Sequence, residues 1–105
     1  MNTPMPREAQ FRKLISDFPT SPMGHFSLGK LLLEARRYAE AAEALANAVK
    51  LNPEYAAALL ALGDAWEGAG KVQEAREVFE RAKAHALAQN HPGLAEEIDA
   101  RIDAL

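Results

Sequence analysis

The chain repeats itself at a fixed interval. Residues 22–55 and 56–89 align at an offset of 34, so that small and large residues fall at the same places in both segments. A period of this length is typical of a helical solenoid, in which each repeat is a pair of helices that stacks on the next pair. The paired positions are Leu28-Gly29 and Leu62-Gly63, Ala35 and Ala69, Glu40-Ala41 and Glu74-Ala75, Glu43 and Glu77, Leu45 and Phe79, and Ala48 and Ala82.

The order of these residues resembles the signature of the tetratricopeptide repeat (TPR) family: Leu-Gly, an aromatic residue, then spaced Ala, Phe and Ala residues, and a later Pro. The family's opening Trp is replaced by His25 and Leu59, and Phe11 and Pro19 suggest a partial unit upstream. The signature residues are Leu28, Gly29, Ala41, Leu45, Ala48 and Pro53 in the first repeat, and Leu62, Gly63, Trp66, Ala75, Phe79 and Ala82 in the second.

The resemblance implies an all-α fold, a right-handed solenoid of antiparallel helix pairs (helical hairpins) with about six helices in a single domain. Pro, Gly and apolar periodicity predict helices over about 6–17, 22–35, 38–51, 53–68, 71–89 and 94–105, with residues 1–5 ahead of the first helix. The predicted units of the 1–105 domain are an N-terminal half-repeat (1–21), a first TPR (22–55), a second TPR (56–89) and a capping helix (90–105).

The two Leu-Gly pairs predict a close crossing of helices. A glycine inside a helix costs about 0.5–1 kcal/mol relative to alanine, so two equivalent glycines suggest a compensating gain. We expect that gain to come from close approach of the paired helix, with Ala41 opposite Gly29 and Ala75 opposite Gly63.

Composition excludes several classes of protein. The formal net charge is -3 and no basic tract occurs, which argues against a nucleic-acid partner. Cysteine is absent, so disulfides and cysteine-based zinc sites are excluded. No stretch approaches the ~20 apolar residues of a membrane span, and no secretory signal is evident. These features predict a cytoplasmic protein without a membrane anchor.

No residue pattern indicates catalysis. The three histidines, His25, His85 and His91, lack the spacing of a zinc motif, and neither a nucleophile motif nor a phosphate-binding glycine loop occurs. The sequence therefore predicts no enzyme activity, no cofactor and no metal. A metal protein or enzyme built on His85 and His91 is the less favoured alternative.

The resemblance also implies a binding surface, because the first helix of each TPR lines a concave groove that takes peptides. Phe26, Leu33 and Leu60 would form an apolar patch there, unless Phe26 and Leu33 are covered by the N-terminal helix or belong to the core. An exposed apolar cluster with a polar rim often marks an interaction site. Carried onto this chain, the groove residues are Met23, Phe26, Ser27, Lys30, Leu33 and Glu34 from the first repeat, and Ala57, Leu60, Ala61, Asp64 and Glu67 from the second.

The partner itself is not specified by the sequence. One TPR subclass grips carboxylates with polar and basic residues, but Phe26 and Ala61 stand at two of those positions and leave Lys30 alone. The expected function is a non-enzymatic adaptor or scaffold for a protein or peptide partner. The alternative is a homodimer, in which the apolar surface is covered by a second copy.

Overall fold

The computed structural model describes residues 6–105, which form six α-helices and, within that range, no strand. This is the all-α architecture predicted from the repeat. The prediction that residues 1–5 lie ahead of the first helix concerns residues outside the described range. The helices are α1 (Pro6–Asp17), α2 (Pro22–Glu34), α3 (Tyr38–Leu51), α4 (Ala56–Gly68), α5 (Val72–Ala88) and α6 (Pro92–Asp103).

Each helix packs against its neighbours in the sequence, as a solenoid requires. α2 with α3, and α4 with α5, form two helix hairpins, and α3 packs against α4 to join them. α1 covers α2 at one end of the stack and α6 covers α5 at the other. Because both hairpins turn back on themselves, α2 and α4 run in the same direction and contact each other along one side.

Three helices end in the same turn. After α2, α4 and α5 the chain passes through a left-handed residue: Arg36 at φ 60°, Gly70 at φ 80° and Asn90 at φ 59°. In the first of these turns the N–H of Arg36 donates to the carbonyl of Leu33, and the N–H of Arg37 donates to that of Leu32. This is a Schellman motif, which satisfies the last carbonyls of the helix. The left-handed turn at Gly70 therefore has counterparts at Arg36 and Asn90.

The predicted close crossing exists, but its partners differ from those expected. A Cβ atom built on Gly29 would collide with the side chain of Leu45, and one built on Gly63 would collide with the ring of Phe79. Leu45 and Phe79 are both fully buried. The prediction that Ala41 and Ala75 lie opposite the glycines was wrong, because each glycine makes room for the large residue one turn further along the facing helix.

Two helix starts also differ from the predicted bounds. α4 begins at Ala56 rather than at Pro53, because the preceding residues form a turn in which Asn52 Oδ1 accepts a hydrogen bond from the N–H of Glu54, at 3.2 Å. α6 begins earlier than expected, at Pro92, which suits the first turn of a helix.

A charged network fastens α1 to the first hairpin. Glu8 is the one buried charged residue described, and its carboxylate accepts hydrogen bonds from Arg12 at 3.0 Å and from Arg37 at 2.8 Å. Arg37 also donates to Glu40, at 2.9 Å. The hydrogen bonds from Arg37 and then Arg12 lower the pKa of Glu8, and that from Arg37 lowers the pKa of Glu40. The network thus links α1, the α2–α3 turn and α3.

None of the described helices is long and apolar enough to cross a membrane.

Candidate interaction surface

The first helices of the two repeats, α2 and α4, share one outer side of the molecule, and this side forms a shallow groove. Their C-terminal halves border a cleft of ≈ 430 Å³ that is open to solvent. Leu33 and Glu34 contribute from α2, and Asp64 and Glu67 contribute from α4. Four of the residues that the sequence predicts for the groove therefore line one cleft.

The other predicted groove residues differ in how accessible they are. Leu60 is only 8% exposed and Ala61 only 3%, so both belong to the core. The apolar patch expected from Phe26, Leu33 and Leu60 is thus reduced to its first two members, which are half-buried against the core. Met23, Lys30, Glu34 and Glu67 are exposed, while Ser27, Ala57 and Asp64 are half-buried.

Tyr55 extends the apolar part of the surface. Its ring lies 4.9 Å from that of Phe26, centroid to centroid, and the two planes are tilted by 38°. Burial raises the pKa of the Tyr55 phenol, so its hydroxyl group stays protonated at physiological pH. Tyr55 was not among the groove residues expected from the sequence, although it lies within the helix predicted over 53–68, and its equivalent one period earlier is Ser21, which is not aromatic.

The cleft has a floor that the sequence did not reveal. Tyr38, the first residue of α3, lines it together with Arg36. A Cβ atom built on Gly68 would collide with the Tyr38 ring, so the absence of a side chain at Gly68 leaves the space that this ring occupies. Tyr38 lies one period before Val72, which is not aromatic and is 46% exposed, so the second repeat does not indicate this contact.

One side chain of α6 reaches a residue of the cleft. Arg101 Nε lies 3.0 Å from Asp64 Oδ1, and this hydrogen bond raises the pKa of the Arg101 guanidinium. Extending the 34-residue offset into α6 would have found it, because Arg101 falls one period after Glu67, and Leu94 one period after Leu60. The helix predicted as a cap therefore also contributes Arg101 to an ion pair with a groove residue.

The tetratricopeptide repeat family model matches the chain over residues 7–48 and again over residues 26–95. The chain belongs to the tetratricopeptide repeat family. No curated protein sequence matches it. Members of this family serve in general as protein-interaction modules, and the parallel first helices α2 and α4 are the TPR elements that line the groove.

Several solved structures share the TPR fold of this chain. Protein BPP2914 from Bordetella parapertussis aligns with 99% of this chain and 88% of its own, with a TM-score of 0.80 and 21% identity. The N-terminal domain of stress-induced protein-1 (STI-1) from C. elegans aligns with 88% and 76%, at a TM-score of 0.73 and 18% identity. MamA aligns with 91% of this chain and 63% of its own, at a TM-score of 0.69 and 23% identity. Such identities establish the fold alone.

The histidines of this TPR chain are spread over the molecule. His25 lies on α2, His85 on α5 and His91 just ahead of α6. Among residues 6–105, no group of three or more His, Cys, Asp or Glu side chains could hold a metal ion.

Proposed function

We propose that the chain is a non-enzymatic adaptor that binds a peptide or protein segment in the groove between α2 and α4. The observation that carries this proposal is the open cleft between the two parallel helices, lined by Leu33, Glu34, Asp64 and Glu67. Membership of the TPR family supports a protein or peptide as the partner. A cytoplasmic location and the lack of a nucleic-acid partner are part of the same proposal.

The chemistry of the groove favours a segment with both apolar and basic residues. Phe26 and Leu33 are half-buried and offer an apolar contact. Glu34 and Glu67 are exposed at the C-terminal ends of α2 and α4, where the helix dipoles add partial negative charge. Asp64 is already paired with Arg101, so Glu34 and Glu67 are the carboxylates left to attract a Lys or Arg of the partner.

A peptide library displayed on phage tests this proposal. We expect the selected peptides to combine an aliphatic or aromatic residue with one or more basic residues. Glu34→Lys with Glu67→Lys should weaken the best peptide at least about tenfold, because it replaces attraction by repulsion at exposed positions without disturbing the core. The matched control is Glu77→Lys with Glu80→Lys, two exposed carboxylates of α5 that lie outside the groove.

Equal loss of binding in the groove variant and in the α5 variant would contradict the proposal, since the effect would then follow from net charge. Unchanged binding in the groove variant would also contradict it. Leu60 is a poor test position, because it is buried and a charge placed there would unfold the chain rather than probe a surface.

A further inference from the structure

The two ends of the helix stack are finished differently. At the C-terminal end, α6 turns Ala95 and Ile98 into the core and leaves Glu96 and Glu97 exposed to solvent. A capping helix of this kind covers the apolar face of the last repeat and presents a polar face to water. At the N-terminal end, the only buried residue of α1 is Glu8, so its apolar residues remain at least partly accessible.

Three apolar residues form a stripe along α1 and just beyond its end. Phe11 and Leu14 of α1 and Phe18, which follows the helix, recur at steps of three and four residues, which places them on the same side. Phe11 and Leu14 are half-buried, and Phe18 is 59% exposed. Met23, at the start of α2, is 57% exposed. Phe11 packs partly against the core and Leu14 against α2 at Gly24, so Phe18 and Met23 are the most accessible apolar side chains described at this end of the solenoid.

Next to this stripe, α1 and α2 border a second cleft, which we call the N-terminal furrow and define by Arg7, Phe11, Phe26, Lys30 and Glu34. Its volume is ≈ 240 Å³. Phe11 contributes from α1 and Phe26 from α2. The Arg7 guanidinium lies over the Phe11 ring, 5.7 Å from its centroid, so the cation is held close to the furrow while its charge remains available.

The furrow is basic, in contrast to the groove between α2 and α4. Among residues 6–105, neither Arg7 nor Lys30 forms an ion pair, although both are exposed. Glu34 is the one acidic residue that lines the furrow. The groove on the other side of α2 is lined by Glu34, Asp64 and Glu67. A negatively charged ligand would therefore be attracted to the furrow and repelled by the groove.

The position of the furrow indicates the shape of its ligand. Phe11 lies one period before Leu45, so α1 corresponds to α3, the second helix of a repeat. In each complete repeat such a helix packs against a first helix, as α3 does against α2. Within residues 6–105, α1 packs against α2, whereas α3 packs against both α2 and α4. A helix is therefore the shape of ligand that would pack along the accessible side of α1.

We propose that the N-terminal furrow and the adjoining stripe bind an acidic amphipathic helix of a partner protein. The apolar face of the ligand contacts Phe11, Leu14 and Phe18, and its carboxylates pair with Arg7 and Lys30. A second copy of the chain is a poorer occupant. A two-fold contact between identical surfaces would bring the basic residues of both copies together, and like charges oppose association.

The test uses two matched panels of labelled 14-residue amphipathic helical peptides. Both panels have the same apolar positions, and the polar positions carry Glu in one panel and Lys in the other. Fluorescence anisotropy at low salt should show that the Glu panel binds at least about tenfold more tightly. Phe18→Glu should abolish that binding, whereas Leu87→Glu should not, since Leu87 is 56% exposed but lies on α5. Arg7→Glu should remove the preference for the Glu panel.

Amide chemical-shift mapping separates this proposal from the groove. We expect perturbations along α1 and the adjacent side of α2, and none centred on α4. Glu67→Lys alone, a groove substitution outside the furrow, should not weaken the acidic peptides, so failure of one proposal leaves the other standing. Phe18 and Arg7 serve as the test positions because they do not belong to the predicted groove.

Five outcomes would overturn the proposal. Four of them are equal binding of the two panels, no binding by either, perturbations centred on α4, and a mass of twice 11.4 kDa that Phe18→Glu returns to 11.4 kDa. The last result, from light scattering, would assign the stripe to a second copy. Stronger peptide binding after deletion of residues 2–5 would likewise overturn it, since the chain's own residues would then be the occupant.

Discussion

In the first repeat, Leu45 fills the space that Gly29 leaves, and in the second repeat Phe79 fills the space left by Gly63. On the groove side the same two repeats have little in common: Phe26 is half-buried where Leu60 is in the core. The interior of each hairpin must match one small residue to one large residue, and either Leu or Phe satisfies that requirement. The groove side carries no such requirement, which allows the two repeats to differ there.

The neighbours of each helix explain the difference in burial. α4 lies between α2, which it contacts directly, and α6, whose Arg101 pairs with Asp64. The corresponding residue of α2 is Lys30, which is exposed. The central helix is thus enclosed and the outer helix is open, so the first repeat exposes more of its groove-side residues than the second.

The largest expected effect concerns the contact between a glycine and a large buried residue, which both repeats share. Gly63→Leu should destabilise the chain by about 3 kcal/mol, because the new side chain would occupy the space of the Phe79 ring. Gly29→Leu should have an effect of the same order. Circular dichroism should show each melting temperature lowered by more than about 10 °C.

The control for this pair is Gly93→Ala in α6, where an added Cβ meets nothing within 4 Å. We expect the control to melt at the wild-type temperature or slightly above it, because alanine is the better helix former. If Gly63→Leu melts like the wild type, the proposed crossing of α4 and α5 at this residue does not exist. If only one of the two repeats is sensitive, their interiors are not equivalent.

A smaller effect should distinguish the two hairpin turns. Arg36 and Gly70 occupy equivalent left-handed positions, and a residue with a Cβ atom is strained there by about 1–2 kcal/mol. Arg36→Gly should therefore stabilise the chain by roughly 0.5–1 kcal/mol, after allowance for the greater freedom of glycine in the unfolded state. Gly70→Arg should destabilise it by about 1 kcal/mol. Urea unfolding measures both changes, and shifts of the same sign in the two variants would contradict the equivalence of the turns.

The repeat made the order and type of the helices predictable, because the spacing of Leu, Gly and Ala indicates which helix faces pack together. The partner of each glycine was not predictable. Ala41 and Leu45 both face the first helix, one turn apart, and only the crossing point of the helices decides which of them meets Gly29. Burial of groove residues was equally hidden, since Phe26 and Leu60 have the same place in the period. The difference in burial between Phe26 and Leu60 depends on which helices pack beside them. The ion pair of Arg101 with Asp64 likewise depends on the packing of α6.

The smallest effect concerns a network that only the first repeat possesses. Arg37 pairs with both Glu8 and Glu40, whereas Lys71 and Glu74, one period later, form no ion pair within residues 6–105. Hydrogen bonds from Arg37 lower the pKa of Glu8 and of Glu40 from the ordinary value of 4.5. A carboxyl whose pKa is lower in the folded state stabilises the fold above the unfolded pKa, and that stabilisation is lost as the pH falls through the folded pKa.

The melting temperature of the wild type should accordingly fall as the pH is lowered from about 5 to about 3. Glu8→Gln and Glu40→Gln should each melt at a lower temperature than the wild type at neutral pH and depend less on pH in the acidic range, because each lacks one of the carboxyls whose protonation breaks the network. Glu74→Gln is the matched control and should retain the pH dependence of the wild type. A pH dependence reduced equally by Glu40→Gln and Glu74→Gln would mean that acid sensitivity is a property of both repeats. If Glu8→Gln instead keeps both the melting temperature and the pH dependence of the wild type, α1 is held to the first hairpin by its apolar contacts and the Glu8–Arg37 ion pair adds nothing to that attachment.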